Sequence, residues 1–256
     1  MFLVFNFRKI IFCVAVVIIS LSFIIGAVPT VTVTTLPLKE PAYIVVIDAG
    51  HGEPDGGAIS KNGVKESELN LAIAQKLETS LKEEGYDVIM TRTDERNIAD
   101  ETMQDTIRKM KVSDINNRVK LVNGSGADVC VSIHMNKFAS EKYYGWQTFY
   151  NKMSEYNKIL AEEIQKGISE NIDIENDRVP LAIQNVKLTD KSEIPTTIIE
   201  CGFLSNSAEL ERLQTEEYRE KLVGGIVNGI NSYYEKMYGS ITTQWINFLF
   251  LQTIPL

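Results

Sequence analysis

Two histidines and three cysteines are all the imidazole and thiol this 256-residue chain holds. So few thiols, with Cys13 inside an apolar N-terminal run, exclude a disulfide framework. Any imidazole chemistry falls to His51 and His134. Seven prolines and 16 glycines are too few for a collagen-like or low-complexity chain, and 44% hydrophobic content excludes general disorder. Positive charge is also in deficit. There are 26 Lys and Arg against 34 Asp and Glu, a net charge of −8. Arg8 and Lys9 are the only charges before Val28, so the remainder sits near −10. Nucleic-acid binding is driven by phosphate neutralisation, so no nucleic-acid partner is expected.

Charge is wholly absent from Ile10–Val28, a run long enough to cross a bilayer core. The positive flank places the N-terminus inside and the rest of the chain outside. Residues 1–28 are therefore expected to be a signal or membrane anchor, and the protein to be exported, either anchored or secreted. Residues 29–42, rich in Thr, Val and Pro, read as an extended linker to a catalytic domain at 43–238. Residues 239–256 form an uncharged, apolar tail with Trp245, Phe248 and Phe250. Such a tail either packs on its own domain or contacts a membrane or protein partner.

Within the domain, Ile44–Ile47 is a continuous β-branched run, the pattern of a strand buried on both faces. Glu66–Glu84 repeats Leu69, Ile73, Leu77 and Leu81 at helical spacing and is closed by Gly85. Further strands are expected at Asp87–Arg92, Val129–Ile133, Gly145–Tyr150, Val186–Leu188 and Thr196–Glu200. Further helices are expected at Asn97–Lys111, Ser113–Val122, Ser154–Ile168, Ser207–Leu213 and Glu216–Lys236. Strands alternating with helices predict a single α/β domain.

Three of the predicted strands run into a residue able to hold a metal or move a proton: His51, His134 and Glu200. Ligands gather outside the carboxyl ends of strands in open α/β sheets, so the three converge if their strands are neighbours. Glu66 is a fourth candidate, at the start of a helix beyond a glycine-rich loop that can fold back on His51. Two imidazoles and a carboxylate with one open position is a catalytic zinc arrangement. A second carboxylate beside water serves hydrolysis as general base. Plainer readings exist. In these, either histidine is a hydrogen-bonded structural residue, a reading weakened because the only two histidines both stand at strand ends, and Glu66 is a solvated carboxylate favoured by the helix dipole. Glu200 follows a run expected to be buried, where an ionised carboxylate is costly unless paired, coordinated or catalytic. Asp48 either orients its loop or accepts the second ring proton of a metal-bound histidine. Cys201, next to Glu200, makes a thiol hydrolase a rival, and Cys130 shares a strand face with His134, although buried inert thiols are commoner.

Four motifs stand in order: Ile47-Asp48-Ala49-Gly50-His51-Gly52 with Asp55-Gly56-Gly57-Ala58, Gly63-Val64-Lys65-Glu66, Ser132-Ile133-His134-Met135-Asn136, and Ile199-Glu200-Cys201-Gly202-Phe203-Leu204. Together they resemble the zinc-dependent N-acetylmuramoyl-L-alanine amidases, the bacterial cell-wall amidases of the amidase-3 type. The resemblance implies a mixed, mostly parallel sheet flanked by helices. It implies one zinc ion held by His51, Glu66 and His134, and Glu200 as catalytic carboxylate. The substrate it implies is peptidoglycan, cut between N-acetylmuramic acid and L-alanine. Glu53, Lys137 and a long Asn97–Lys111 segment depart from the family pattern and bear on substrate choice. One N-terminal apolar segment, one catalytic domain and no wall-binding repeat resemble the spore-cortex members, which act in muramic lactam formation and hence germination. A vegetative wall amidase and a zinc peptidase acting on wall peptides are the alternatives.

Overall fold

The computed structural model describes residues 43–103 and 106–239. The expected anchor and linker, and the tail from 240 onward, lie outside the described residues. Among the described residues no helix is long and apolar enough to cross a membrane.

The chain runs β1 (Ile44–Ala49), α1 (Glu66–Glu83), β2 (Asp87–Met90), a short 3-10 turn (Glu101–Met103), α2 (Ile107–Gly124), β3 (Val129–Asn136), β4 (Gln147–Asn151), α3 (Glu155–Asn171), β5 (Leu181–Ile183), α4 (Lys187–Lys191), β6 (Thr196–Phe203), α5 (Ser207–Leu213) and α6 (Glu216–Tyr238). The six strands form one sheet in the order β2-β1-β3-β6-β4-β5. β2, β1, β3 and β6 are mutually parallel, while β4 runs antiparallel to β6 and pairs in parallel with β5. The α/β domain with a mixed, mostly parallel sheet is thus as the sequence predicts.

Alternation along the strands assigns the two faces. Val45, Ile47, Val131, Ile133, Ile199 and Cys201 join the apolar residues of α1, α3 and α6 in the main core. Val46 and Cys130 face the other way, into a smaller cluster with Val122 of α2 and Leu188 of α4. Helices α3 and α6 meet backbone to backbone: a Cβ on Gly229 would lie 2.4 Å from the Ile164 Cα. Gly85 follows α1 with φ of 92°, the left-handed stop its position predicts.

Two expectations fail locally. The helices expected at Asn97–Lys111 and Ser113–Val122 are one helix, α2, and residues 97–100 precede it as a loop. That loop spends its backbone groups on α2 side chains: Ile98 N donates to Asp114 Oδ1, Asp100 N donates to Ser113 Oγ, and Ile98 O accepts from Asn117 Nδ2. Side-chain partners of this kind compete with helix formation. The strand expected at Val186–Leu188 is instead the approach to and start of α4, and the strand lies upstream as β5. Asn185, at φ of 63°, breaks the extended run between them.

Candidate metal and catalytic site

The site is built at the upper edge of the sheet, where β1 ends. Gly50 N donates to Ile133 O, which holds the chain against β3 as it leaves the sheet. His51 then takes a left-handed backbone conformation, φ 61°, unfavourable for a residue with a Cβ. The surroundings hold it there: Arg118 Nη2 donates to His51 O at 2.5 Å, and His51 Nδ1 lies 3.0 Å from Asp55 Oδ2. Gly50 has no room for a side chain, since a Cβ would meet His134 Nε2 at 2.3 Å.

Glu66 is the first residue of α1 and is only 4% exposed, so it is not the solvated carboxylate of the plainer reading. Its Oε2 accepts from Ala58 N at 2.8 Å and its Oε1 from Met135 N at 3.1 Å. Oε1 also lies 2.9 Å from His134 Nδ1 and 3.2 Å from His51 Nε2. One donor atom from each of His51, Glu66 and His134 falls within 4.8 Å of the others. Burial alone would raise the Glu66 pKa, but the two imidazoles outweigh it and hold the carboxyl well below the ordinary range. Burial likewise works against a charged His51, yet the Asp55 and Glu66 carboxylates lift it to about 9.

His134 and Glu200 are not at strand ends as expected. β3 continues to Asn136 and β6 to Phe203, and the parallel register sets His134 directly beside Glu200. Glu200 Oε2 is buried and, among the described residues, has no hydrogen-bond partner. Burial is the main reason its pKa is pushed up to about 7. Beside this cluster opens a cleft of about 420 Å³, lined at one part by His51, His134 and Glu200 and at another by Phe149, Ile183 and Ile198.

Of the two roles offered for Asp48, the histidine contact is corrected, and the orienting of the loop is exerted through Arg118, which also donates to Ala49 O and His51 O. Asp48 touches neither histidine but sits 1% exposed, accepting from Arg118 Nη1 at 2.6 Å, Ser132 Oγ at 2.5 Å and Thr91 Oγ1 at 2.8 Å. Despite burial, Arg118 holds its pKa down at about 2. The carboxylate that grips His51 is Asp55, which also meets Lys111 Nζ at 2.8 Å. Asp55 stood within the first motif, four residues past His51, and that spacing was the available signal. Arg118 carried none. The thiol rival fails on position: Cys201 is fully buried on the opposite face from Glu200, and burial pushes its thiol far above the ordinary range.

A parallel-edged α/β sheet with a His-Glu-His cluster and an adjacent carboxylate is the architecture of a hydrolytic centre. The chain belongs to the N-acetylmuramoyl-L-alanine amidase family of the amidase-3 type, whose model matches residues 45–232, and is an enzyme of that class acting on peptidoglycan. It is 35% identical to the germination-specific N-acetylmuramoyl-L-alanine amidase of Bacillus subtilis over 200 residues, 78% of this chain and 82% of that protein. The structure of the Clostridioides difficile amidase CwlD, in complex with the GerS lipoprotein, is similar with a TM-score of 0.73 at 37% identity, covering 75% of this chain and 98% of that one. An N-acetylmuramoyl-L-alanine amidase from Clostridium difficile 630 is similar with a TM-score of 0.68 at 32% identity, covering 78% and 100%.

Proposed function

We propose that this chain is an exported, zinc-dependent amidase of the spore cortex, with His51, Glu66 and His134 holding one zinc ion and Glu200 handling the proton. One observation carries the reading: donors from the three residues lie within 4.8 Å of one another, beside a buried Glu200 oxygen with no partner among the described residues. The residues fit the metal. Two imidazoles and one carboxylate are a donor set zinc accepts in catalytic sites while keeping a position open. Asp55 at His51 Nδ1 supplies the outer carboxylate that orients a ligating ring and sets its tautomer.

Zinc, when bound, acts as a Lewis acid and makes water nucleophilic near neutral pH. Glu200 Oε2 takes the proton that water gives up and returns it to the nitrogen leaving with L-alanine. A pKa near 7 suits both halves of that exchange, because neither protonation state is strongly favoured at neutral pH. Backbone donors from Ala58 and Met135 keep Glu66 fixed without using a side chain of the cleft. Phe149, Ile183 and Ile198 give the cleft an apolar side that limits water around the reacting groups.

A role in germination is supported by the likeness to the germination-specific amidase of Bacillus subtilis at 35% identity, and the cortex as its place by the resemblance to spore-cortex members. Export and membrane attachment are supported by the uncharged Ile10–Val28 run and its basic flank. A protein partner is supported by the complex that CwlD forms with a lipoprotein. The test is digestion of peptidoglycan by the purified protein, with and without chelator, read by mass spectrometry. Stem peptides with a free N-terminal L-alanine should be released, lost on chelation and regained with zinc. Products cut only inside the peptide would establish the zinc peptidase instead.

A further inference from the structure

Beyond His134 and Glu200, β3 and β6 continue into an aromatic cluster that the reaction does not use. The register passes from His134↔Glu200 to Asn136↔Phe203, so two steps on β3 face three on β6. An extra residue of this kind is a bulge, which re-aims side chains next to a site. Phe203 is fully buried and forms the hub. Phe138 packs against it at 5.2 Å, Tyr143 at 6.3 Å, and the Arg178 guanidinium lies over its ring at 4.7 Å. Phe138 and Tyr143 also meet edge to face at 5.1 Å. Unlike the hub, Phe138 keeps 46% and Tyr143 37% of its surface in water.

The loop that carries these rings is pinned. Phe138 N donates to Ser205 Oγ, Gly145 N to Glu209 Oε1 and Phe203 N to Glu209 Oε2, with Glu209 itself buried. Lys137 Nζ donates to Ile59 O, which ties the loop to the segment joining His51 to Glu66. Two large rings are thus held in water on the loop that follows His134 and β3, and fixed exposed apolar surface marks a binding area.

We propose that Phe138 and Tyr143 form a sugar-binding platform for the glycan strand of peptidoglycan. The proposal rests on the amidase reading above. The acyl side of the scissile amide is attached to a sugar, and that sugar is one ring of a polymer, so the strand must leave the site across its rim. Three residues of strand separate Glu200 from Phe203, a span of at most about 10 Å. Phe138 and Tyr143 pack on the Phe203 ring, within reach of sugars neighbouring the one being cut. The C–H faces of sugar rings match the negative faces of Phe and Tyr, and Arg178 supplies a polar edge.

The test compares the full, zinc-loaded chain with Phe138→Ala, Tyr143→Ala and the double variant on two substrates. One is glycan strands carrying stem peptides; the other is a single N-acetylmuramoyl peptide. The ratio of kcat/KM between strands and the single unit should fall about tenfold in the double variant, mainly through KM on strands. A peptide-free glycan oligosaccharide should bind the wild type in calorimetry and lose binding in the double variant. Phe138→Tyr keeps an aromatic face and should restore the ratio. If Phe138→Ala fails to fold, Tyr143→Ala carries the comparison, since its ring lies farther from the buried Phe203, at 6.3 Å against 5.2 Å. An unchanged ratio, or oligosaccharide binding that survives both substitutions, overturns the platform. Wild-type protein that cuts neither substrate overturns the amidase reading, and the platform with it.

Discussion

Replacing Glu200 by Gln should remove activity and yet stabilise the metal-free protein. The carboxyl is pushed from 4.5 to about 7, first of all by burial. A folded-state pKa raised above the unfolded value means that the native state holds the proton more tightly. Stability is then greatest below about pH 4.5 and is lost as pH rises through about 7. At about 1.4 kcal/mol per unit the loss is at most roughly 3 kcal/mol, and partial exposure of the residue brings it to roughly 2–3 kcal/mol. Gln keeps the shape and never ionises. The variant and the wild type should therefore match near pH 4, and the variant should be about 2–3 kcal/mol more stable at pH 8. Urea unfolding of chelated protein from pH 4 to 8, with slopes checked for constancy, measures the difference. Other titrating groups are common to both proteins and largely cancel. Turnover by the zinc-loaded variant should fall about a hundredfold or more. A pH-independent difference, or a variant less stable at pH 8, would mean that Glu200 has a native partner and that its ionisation carries no cost.

Arg118→Leu should destabilise the domain by about 3–5 kcal/mol, because it strands the buried Asp48 carboxylate. Adding Asp48→Asn should recover part of that loss in urea unfolding, and simple additivity of the two single losses would refute the coupling. The same pair makes an acid limb: with Asp48 held at about 2, its contribution is full above about pH 4 and disappears as pH falls through 2. Zinc uptake should release about one proton at pH 7, because His51 keeps its proton to about 9 in the metal-free protein. Calorimetry in buffers of different ionisation enthalpy reads that number, and zero release would contradict it. Gly50→Ala pushes a Cβ into the His134 ring and should weaken zinc binding at least about tenfold with circular dichroism unchanged; wild-type affinity would show that the ring has slack.

Much of the frame was legible because hydrophobic period is a local property. The buried run of β1, the four-residue repeat of α1 and the glycine after it each specify an element without reference to distant chain. The same runs pointed to His51, His134 and Glu200, since polar residues adjoining buried strands are conspicuous. Neighbourhood was decided elsewhere. Only parallel pairing of β3 with β6 sets His134 beside Glu200, and only the return of α1 buries Glu66 between two imidazoles. Arg118 reaches Asp48 from 70 positions away, so no local pattern could assign that carboxylate its partner. Residues 97–100 read as helical until α2 side chains took up their backbone groups. Periodicity reports which face of an element is apolar. Register, burial and hydrogen-bond partners depend on chain that arrives from far away, and those were decided by the tertiary structure alone.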